Sequence, residues 1–532
     1  HELHAMLAKA VQDAGDQVSD RFKRMRLDNW SSLIDAKEQL EKRLEEPIEY
    51  RLMGRSGAEY EVEAATPQTG AILDQERIAR STAEAASRGE RTTIIDVDGQ
   101  SLTLRALRPG ADVPATGVLV RDRTPSHAAI RRQKGALSAL REGSAAMPHL
   151  RELVLDPTLA AHPEPVLFQP TTPDLDDDKK TAVANALGSR DLFLVEGPPG
   201  TGKTSFICEL VNQYLAARPH DKILLVSQMH VAIDNAITRL HRSGVTSVVR
   251  LSSRDDNVDP DAAHLLLSNK LRAWAAEVGA RARAGMATLS EREGIAIEHL
   301  SLALTAEEAS STLRQKNQTS EALGPLDDDD RLDNDDLPEE RAQLLGDYLH
   351  ASERADRAVA EVRSAAEQLD IPLSNDIDEA ELQDLVAALL GGRKSDTRLR
   401  ELMRTQGDWL ASLNDPAAAE PMFLPTQSVV AGTCMGFLSN PNIQEMQFDL
   451  CIIDEASRAT APELLVPMTR SKRWVMVGDT KQLPPMVEEV LEHRDLVETF
   501  DLDKTFLTSS LFDILIGEAP PECKARLVTQ HR

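Results

Sequence analysis

The chain contains a glycine-rich segment whose residue types and spacing suit the binding of a phosphate group. It runs from Gly197 to Thr204 as GPPGTGKT and lies between a short apolar run and a segment with helical apolar spacing. Its three glycines let backbone N–H groups turn towards an anion, and the N-terminus of the following helix adds a partial positive charge. Lys203 is expected to reach the β- and γ-phosphates of a nucleoside triphosphate, and the Thr204 hydroxyl is expected to ligate Mg²⁺.

Two further polar groups follow apolar runs that are typical of buried strands. Asp454 and Glu455 end one run, where Asp454 is expected to hold Mg²⁺ and Glu455 to orient and deprotonate an attacking water. Gln482 follows the next run, and its amide can hydrogen-bond both a γ-phosphate and the lytic water. The alternatives are a surface acidic pair and a simple turn, and the apolar runs argue against both. Together with the glycine-rich segment, these groups predict an ATP-hydrolysing site.

The apolar runs that carry these groups predict a doubly wound, parallel α/β sheet. They occur at 193–196, 222–227, 428–434, 448–455 and 473–479. The first two are separated by helical spacing, and strand, helix, strand in this order implies a right-handed parallel crossover. Ligands of such sheets bind at the carboxyl ends of the strands.

The chain before residue 173 is expected to hold a helical stalk (1–46), a small β-barrel (47–125), and stalk helices with a linker (126–172). Residues 1–46 show helical apolar spacing, whereas the period changes to two from residue 48. Asp98 and Gly99, between two such runs, predict a hairpin turn. The segment from Pro67 to Arg91 has a less clear period and is interpreted as partly helical.

Helical spacing also dominates a long stretch inside the α/β region. We therefore expect a first part of the α/β domain (173–254), a helical insertion (255–421) and a second part (422–532). Lys203 and Asp454 lie too far apart in the sequence for one α/β domain, which supports the insertion. An acidic, proline-containing stretch at 326–340 predicts a solvated loop within it.

Composition limits the classes of function. The formal net charge of −27 argues against general affinity for nucleic acid or anionic membranes, so a nucleic-acid contact must come from a local patch. The four cysteines form no zinc-ligand spacing, and no apolar run is long enough to predict a membrane span. We therefore expect a cytoplasmic protein that does not bind membranes. Basic residues near the predicted strand ends favour a nucleic-acid track: Arg239, His241, Arg242, Arg250 and Arg254.

Five segments, in order along the chain, resemble the motifs of a known helicase family. They are 197–204, Asp454 to Ser457, Gly478 to Pro485, Ser510 to Phe512, and Gln530 to Arg532. The chain is similar to superfamily 1 helicases of the 5′-to-3′ branch, specifically the group around the nonsense-mediated-decay RNA helicase. The resemblance covers residues 173–532 apart from the insertion, and more loosely the stalk and barrel. It implies a RecA-like fold of the phosphate-loop NTPase type, with a β-barrel and helical insertions.

The resemblance also implies roles for individual residues. Catalytic roles are implied for Lys203, Glu455, Gln482 and Arg532. Thr204 and Asp454 are implied as ligands of Mg²⁺. Nucleotide contacts are implied for Gly197, Pro198, Gly200, Thr201, Gly202, Lys203, Thr204, Ser205, Lys179 and His531. Contacts with single-stranded nucleic acid are implied for His230, Thr433 and Pro484.

The chain departs from the family pattern at three of these positions. Lys179 stands where the family has an adenine-reading glutamine, which puts adenine selectivity in question. His531 stands where a tyrosine stacks on the base, and His230 stands where asparagine is usual. A histidine offers a smaller stacking surface than a tyrosine.

Because the family's second RecA-like domain would follow Arg532, we expect this chain to be the ATP-binding N-terminal half of a longer helicase. The leading hypothesis is an ATP- and Mg²⁺-dependent motor that moves 5′ to 3′ on single-stranded RNA or DNA and unwinds duplex. The alternative is a nucleotide-switched ATPase scaffold whose helical insertion docks a protein partner. Asp454, Glu455 and Gln482 together disfavour a metabolic phosphate-loop kinase. The sequence leaves RNA and DNA open.

Overall fold

The computed structural model of the chain describes most of its residues and divides them into two compact units. The first unit comprises residues 1–45, 123–270 and 424–532, and the second comprises 46–122 and 271–423. The described residues are 26–42, 47–68, 72–73, 75–81, 89–106, 111, 113–121, 124–173, 175–252, 258–324, 339–391, 397–482, 488–491, 493–503 and 509–530.

The described residues form strands, α-helices and short 3₁₀ helices. The strands are β1 (Ile48–Ser56), β2 (Glu59–Ala64), β3 (Glu76–Arg80), β4 (Glu90–Asp98), β5 (Ser101–Ala106), β6 (Thr116–Arg121), β7 (Leu192–Glu196), β8 (Ile223–Ser227), β9 (Val248–Arg250), β10 (Val429–Thr433), β11 (Leu450–Asp454), β12 (Trp474–Gly478) and β13 (Lys524–Arg526). The helices are α1 (26–42), α2 (Thr124–Glu142), α3 (Leu150–Leu155), α4 (Asp177–Gly188), α5 (Lys203–Ala217), α6 (His230–Arg242), α7 (Leu267–Ala284), α8 (Met286–Glu293), α9 (Ile297–Leu323), α10 (Glu339–Glu367), α11 (Glu379–Leu389), α12 (Thr397–Leu413), α13 (Pro416–Phe423), α14 (Pro441–Gln444), α15 (Ala461–Met468), α16 (Glu488–Leu491), α17 (Arg494–Thr499) and α18 (Leu511–Glu518). The 3₁₀ helices are Pro157–Leu159, Pro260–Leu265, Leu424–Thr426, Gly436–Ser439, Ala456–Arg458 and Pro521–Cys523.

The first unit is built on a seven-stranded sheet in the order β13-β7-β12-β11-β8-β10-β9. Every pairing in it is parallel. Its central strands are apolar and buried, because helices cover both faces of a parallel sheet. The predicted doubly wound α/β fold is therefore confirmed. The short edge strands β9 and β13 were not predicted.

The register of this sheet brings the ends of three neighbouring strands level. Ser227 at the end of β8 pairs with Thr433 of β10 on one side and with Asp454 of β11 on the other. On the other side of β11, Gly478 at the end of β12 pairs with Glu196 of β7. The segments that follow these five strands therefore leave the sheet at one edge.

The second unit contains a closed antiparallel barrel in the strand order β1-β2-β5-β4-β3-β6. Alternate residues of its strands are buried, for example Tyr60, Val62 and Ala64 of β2. The predicted hairpin joins β4 and β5, with Gly99 at a φ of 60°. The interpretation of 67–91 as partly helical is wrong for residues 76–80, which form β3. Strand β3 gains its order from pairing with β4, the next strand along the chain, and with β6, which is farther away in sequence.

The second unit also contains a helical bundle that runs from α7 to α13. Helix α9 packs against α10, α11 and α12, and it buries Leu300, Ala303 and Leu304. Helix α10 contributes Val362 and Ala366 to the same core, as its apolar spacing indicates. The acidic stretch that predicts a loop lies outside the described residues, except for its last two positions at the start of α10.

Helices α1 and α2 belong to the first unit. Lys134 of α2 lies 2.9 Å from Asp35 and 2.7 Å from Glu38 of α1. Leu33, Ala36 and Leu40 of α1 pack with Val490, Leu496 and Leu502. Residues 26–42 of the segment expected to form a stalk are helical, and residues 1–25 and 43–46 lie outside the described part.

Among the described helices, none combines the length and the apolar character needed to cross a bilayer.

Candidate functional site

The glycine-rich segment forms a turn between the end of β7 and the start of α5. Gly200 and Gly202 have φ values of 83° and 81°, in the left-handed region that residues with a Cβ avoid. Gly202 caps α5 without a side-chain hydrogen bond, so the first N–H groups of this 15-residue helix remain open to an anion. Thr201 braces the turn through a 2.8 Å hydrogen bond from Oγ1 to the Pro198 carbonyl oxygen. The predicted contacts from Gly197 to Ser205 all lie in this turn and the first turn of α5.

Lys203 and Glu455 meet, although they lie far apart in the sequence. Nζ of Lys203 is 3.0 Å from Oε1 of Glu455, and their side chains are only 11% and 16% exposed. Glu455 has a φ of 53°, a conformation that is strained for a residue with a Cβ. Its Oε2 is buried and has no hydrogen-bond partner among the described residues. One carboxylate oxygen is therefore free to accept a hydrogen bond from a ligand or a water.

Asp454 is buried beside this pair at the end of β11. It is 5% exposed, and its Oδ1 accepts a hydrogen bond from the Glu455 N–H at 2.9 Å. Burial and the neighbouring Glu455 carboxylate raise the pKa of Asp454 to about 6, against the opposing effect of Lys203. A buried carboxylate that lacks full charge compensation is a suitable ligand for a cation. The described residues contain no cluster of three or more His, Cys, Asp or Glu side chains suited to a metal.

Gln482 lies in the turn after β12, held by an acidic residue that sequence reasoning missed. Its Nε2 donates to Oδ2 of Asp479 at 3.2 Å, and Asp479 is 2% exposed. The Asp479 N–H donates to Oγ of Ser457, in the turn after β11, at 3.3 Å. Asp479 therefore links the Gln482 turn to the turn that carries Glu455. Its position directly after a buried strand is the sequence signal that could have identified it.

Lys179 is buried at the start of α4, which packs against α5. Its ammonium group forms an ion pair with Asp176. Asp176 also caps α4, because its Oδ1 accepts a hydrogen bond from the Lys179 N–H at 3.0 Å. The lysine found in place of the family's glutamine is thus held by a neighbouring carboxylate.

Two of the three expected nucleic-acid contacts lie at the same edge of the sheet. His230 is the first residue of α6 and follows β8, and Thr433 ends the adjacent strand β10. Oγ1 of Thr433 accepts a hydrogen bond from the Gly436 N–H at 2.8 Å. Arg132 of α2 holds the same turn, because its guanidinium donates to the carbonyl oxygens of Met435 at 2.7 Å and Leu438 at 3.1 Å. The third contact, Pro484, lies outside the described residues, as do His531 and Arg532.

The basic track expected near the strand ends is wrong in its described part. Arg239, His241 and Arg242 lie in the last turn of α6, and this helix runs back from the carboxyl edge of the sheet. Arg250 is fully buried and bound to Asp234. Arg254 lies outside the described residues. Position along the sequence suggested proximity, whereas the direction of α6 separates Arg239, His241 and Arg242 from the site, and burial in an ion pair removes Arg250 from the surface.

Comparison with known proteins agrees with this arrangement. Residues 174–489 match a family model described as an AAA domain. The chain is 25% identical over 359 residues to an uncharacterised ATP-dependent helicase of Methanocaldococcus jannaschii, covering 68% of this chain and 42% of that protein. It is 51% identical over 71 residues to the DNA replication ATP-dependent helicase/nuclease of Gallus gallus, covering 13% and 7%. It is 22% identical over 320 residues to the regulator of nonsense transcripts 1 homolog of Neurospora crassa, covering 60% and 19%.

The chain thus spans less than half the length of each of these relatives. The family model, however, covers more than half of the chain, including the phosphate-binding turn and the acidic end of β11. The chain therefore belongs to this AAA-domain family and, within it, to the superfamily 1 helicase group of the regulator of nonsense transcripts and the DNA replication helicase/nuclease.

Proposed function

We propose that the chain is the ATP-binding half of a nucleic-acid-dependent motor that hydrolyses ATP, moves 5′ to 3′ along single-stranded RNA or DNA, and unwinds duplex. The observation that carries the proposal is the 3.0 Å contact between Lys203 and Glu455. It joins a phosphate-binding turn to the acidic end of β11. The next strands in the sheet are β8, which precedes His230, and β10, which ends in Thr433. A motor needs this proximity, because it must couple phosphate chemistry to movement of a bound strand.

We assign the triphosphate to the turn from Gly197 to Ser205 and Mg²⁺ to Thr204 and Asp454. The residues fit the ion, because Mg²⁺ in nucleotide sites takes one or two carboxylates, with phosphate oxygens and waters completing its shell. A bound Mg²⁺ would neutralise negative charge on the phosphate oxygens. Lys179 and His531 are the residues we assign to the nucleobase.

We assign the chemical step to Glu455, with Lys203, Gln482 and Arg532 acting on the γ-phosphate. The free Oε2 of Glu455 supports this role, since a general base needs an oxygen that can accept the proton of the attacking water. When Lys203 moves from Glu455 to the phosphates, the other carboxylate oxygen is released as well. Gln482 can then hydrogen-bond the same water, having exchanged its bond to Asp479.

We assign contacts with the nucleic-acid strand to His230, Thr433 and Pro484. Hydrogen bonds from His230 and Thr433 to the sugar–phosphate backbone give affinity without sequence specificity, whereas Pro484, which has no donor, would lie near a base. The uncapped N-terminus of α6, which begins at His230, supports the assignment because its N–H groups favour an anion. The cytoplasmic location expected from the sequence remains part of this proposal.

A second candidate is the nucleotide-switched scaffold, in which the helical bundle docks a protein partner. One observation favours it: Leu402 and Trp409 are 39% and 41% exposed on α12. They lie seven residues apart, so they share one face of the helix. Tryptophan is enriched in the surfaces that bind proteins, and Leu402 extends the apolar area beside it.

The test is steady-state ATP hydrolysis by the full-length protein with and without single-stranded RNA and DNA, beside Glu455→Gln. Strong stimulation by one polymer, absent from the variant, is the result expected for the motor. Tight ATP binding with no stimulation by either polymer would contradict the motor and favour the scaffold. A strand-displacement assay with 5′ and 3′ overhangs then tests the direction of movement.

A further inference from the structure

A buried ion pair lies beside the first turns of α6, and the assigned ATPase roles do not use it. Arg250 is fully buried at the end of β9, and Asp234 of α6 is 3% exposed. Nε of Arg250 lies 2.8 Å from Oδ1 of Asp234. Oδ2 of Asp234 accepts a hydrogen bond from the Asp259 N–H at 2.9 Å, and Nη1 of Arg250 donates to the Leu251 carbonyl oxygen at 2.6 Å. These bonds fix the guanidinium in one orientation.

The remaining arm of the guanidinium reaches His230. Nη2 of Arg250 lies 3.0 Å from Nδ1 of His230. Arginine stays protonated and only donates hydrogen bonds, so Nδ1 must be the acceptor. A neutral imidazole that accepts at Nδ1 carries its proton on Nε2.

The surroundings of His230 also keep its ring neutral. Burial and the positive charge of Arg250 lower the pKa of His230, and Asp234 opposes them with a smaller effect. Among the residues that the structure describes, no hydrogen bond to Nε2 of His230 is found. The ring therefore presents one N–H donor that is not used within the described structure.

We propose that Arg250 and Asp234 are positioning residues that hold His230 as an Nε2–H donor to a backbone phosphate of the bound strand. This inference rests on the proposed function, since it assumes that a strand passes the carboxyl ends of β8 and β10. A phosphate oxygen only accepts hydrogen bonds, so a fixed N–H group suits it. Strand β9, which carries Arg250, pairs with β10, which ends in Thr433, so one scaffold holds both contacts.

A neutral hydrogen-bond donor can be distinguished from a basic side chain by the salt dependence of the affinity for nucleic acid. Each lysine or arginine that binds a phosphate displaces a counterion and steepens the salt dependence of affinity. A neutral His230 displaces none. Its removal is therefore expected to weaken binding without changing the salt slope.

The tautomer can be measured directly by ¹⁵N NMR of the full-length protein labelled at histidine, with His230→Gln to assign the signals. The expected result is an unprotonated Nδ1 and a protonated Nε2 at pH 7, with less than half of the ring protonated at pH 6.5, the usual pKa of histidine. A proton on Nδ1, or a charged ring, at pH 7 overturns the proposal.

The positioning role is tested by affinity for a single-stranded oligonucleotide, measured by fluorescence anisotropy at several salt concentrations. His230→Ala is expected to weaken binding about tenfold at an unchanged salt slope. The double variant Arg250→Met with Asp234→Leu removes the ion pair without leaving an unpaired buried charge. The double variant is also expected to bind the oligonucleotide about tenfold more weakly than the wild type. Adding His230→Ala to the double variant is expected to weaken binding no further. A double variant that binds like the wild type overturns the proposal.

The outcomes separate this inference from the function on which it rests. If nucleic acid stimulates the wild-type ATPase but His230→Ala binds normally, the positioning role is overturned and the motor stands. If the wild-type protein binds neither RNA nor DNA, both fail. Melting temperature and ATP affinity report whether each variant folds. If the double variant does not fold, the NMR measurement of the His230 tautomer in the wild-type protein tests the proposal instead.

Discussion

At the scale of single residues, Glu455 shows how backbone strain can serve a site. Its left-handed φ of 53° costs about 1 kcal/mol or more for a residue with a Cβ. The same turn brings one carboxylate oxygen to Lys203 and leaves the other buried without a partner among the described residues. A relaxed backbone at this position would aim the carboxylate elsewhere. The strain is therefore evidence for function, and it supports the assignment of Glu455 as the general base.

The contact between Lys203 and Glu455 competes with phosphate binding, which leads to a prediction about Glu455→Gln. The variant is expected to bind ATP about three- to tenfold more tightly, because a neutral amide holds Lys203 less strongly than a carboxylate. Its kcat is expected to fall by about 10²-fold or more, because an amide cannot take the proton of the attacking water. Titration with a fluorescent ATP analogue and steady-state kinetics measure the two effects.

Glu445→Gln is the matched control, since Glu445 is an exposed glutamate outside the site. It is expected to change neither quantity. Weaker ATP binding by Glu455→Gln would contradict the competition between Glu455 and phosphate.

At the scale of elements, α9 organises the helical bundle and buries two carboxylates as it does so. Glu307 and Glu308 are 7% and 6% exposed on a helix that packs against α8, α10, α11 and α12. Oε1 of Glu308 accepts a 2.7 Å hydrogen bond from Asn414, and its Oε2 lies 3.3 Å from Arg283. These contacts compensate only part of the cost of burial, because burial raises the pKa of Glu308 in spite of them.

The raised pKa of Glu308 predicts how the stability of the bundle depends on pH. From the usual value of 4.5 up to the raised value, the folded state binds more protons than the unfolded state. The free energy of unfolding therefore falls as pH rises through that window. Glu308→Gln removes this titration, so its melting temperature relative to the wild type is expected to be higher at pH 7 than at pH 4.5. Thermal melts at both pH values check this.

Glu367→Gln, at an exposed glutamate of α10, is the control for that experiment and is expected to show no such difference. If the melting temperature of Glu308→Gln relative to the wild type were higher at pH 4.5 than at pH 7, burial would not be the main cause of the shift in the pKa of Glu308.

The packing of α12 on α9 depends on a glycine, which gives a second prediction at this scale. A Cβ at Gly407 would lie 2.6 Å from Cβ of Glu307 and 2.8 Å from its backbone carbonyl carbon. Gly407→Ala is therefore expected to destabilise the bundle by about 1–3 kcal/mol. Gly346 of α10 has open space around it, so Gly346→Ala is expected to stabilise the helix by about 0.5–1 kcal/mol. Urea denaturation of both variants measures the difference, and a neutral Gly407→Ala would contradict the close packing.

At the scale of the whole molecule, the chain combines a strong negative charge with a proposed affinity for a polyanion. A net charge of −27 repels nucleic acid at long range, so the net charge of the chain does not favour electrostatic steering of the strand. Contact must instead come from short-range donors, such as helix N-termini and neutral N–H groups at the edge of the sheet. The positioning of a neutral His230 is consistent with this requirement.

The two compact units lead to a prediction for thermal unfolding. The phosphate-binding turn and the acidic end of β11 both lie in the first unit. Mg·ADP at about 100 times its Kd is therefore expected to stabilise the transition of that unit by about 2.7 kcal/mol. The midpoint temperature of the transition that contains the helical bundle is expected not to change. Differential scanning calorimetry measures both transitions. Lys203→Ala is the control, and it is expected to abolish the shift that Mg·ADP causes. An equal shift of both transitions would contradict independent unfolding of the two units.

Much of the parallel sheet and the phosphate-binding turn could be predicted from the sequence, because their signals are local. Strands β7, β8, β11 and β12 are short apolar runs, and a central parallel strand is buried on both faces wherever it lies in the sheet. The turn from Gly197 to Thr204 likewise depends on glycines whose backbone conformation is set within the segment itself. These features do not depend on knowing which distant segment each strand meets.

The elements that were missed are those whose order comes from their neighbours. Strand β3 is only five residues long and lies between β4 and β6, and β9 and β13 have three residues each at the edges of the parallel sheet. The three-residue strands are too short for a period to show, and β3, with charged residues at three of its five positions, lacks the apolar run that identifies the central parallel strands. Their hydrogen bonds to longer strands stabilise them, and sequence alone does not identify those partners.

What the sequence by itself determined is the chemistry available to the chain: a phosphate-binding turn, an acidic strand end and a glutamine after a third strand. Only the tertiary structure decided which of these groups meet and which charges remain exposed. It brought Lys203 to Glu455, and it buried Arg250 against Asp234 instead of placing it on a basic track. The physical reason is that residue type and local period are properties of a segment, whereas burial and charge pairing depend on segments far away in the chain.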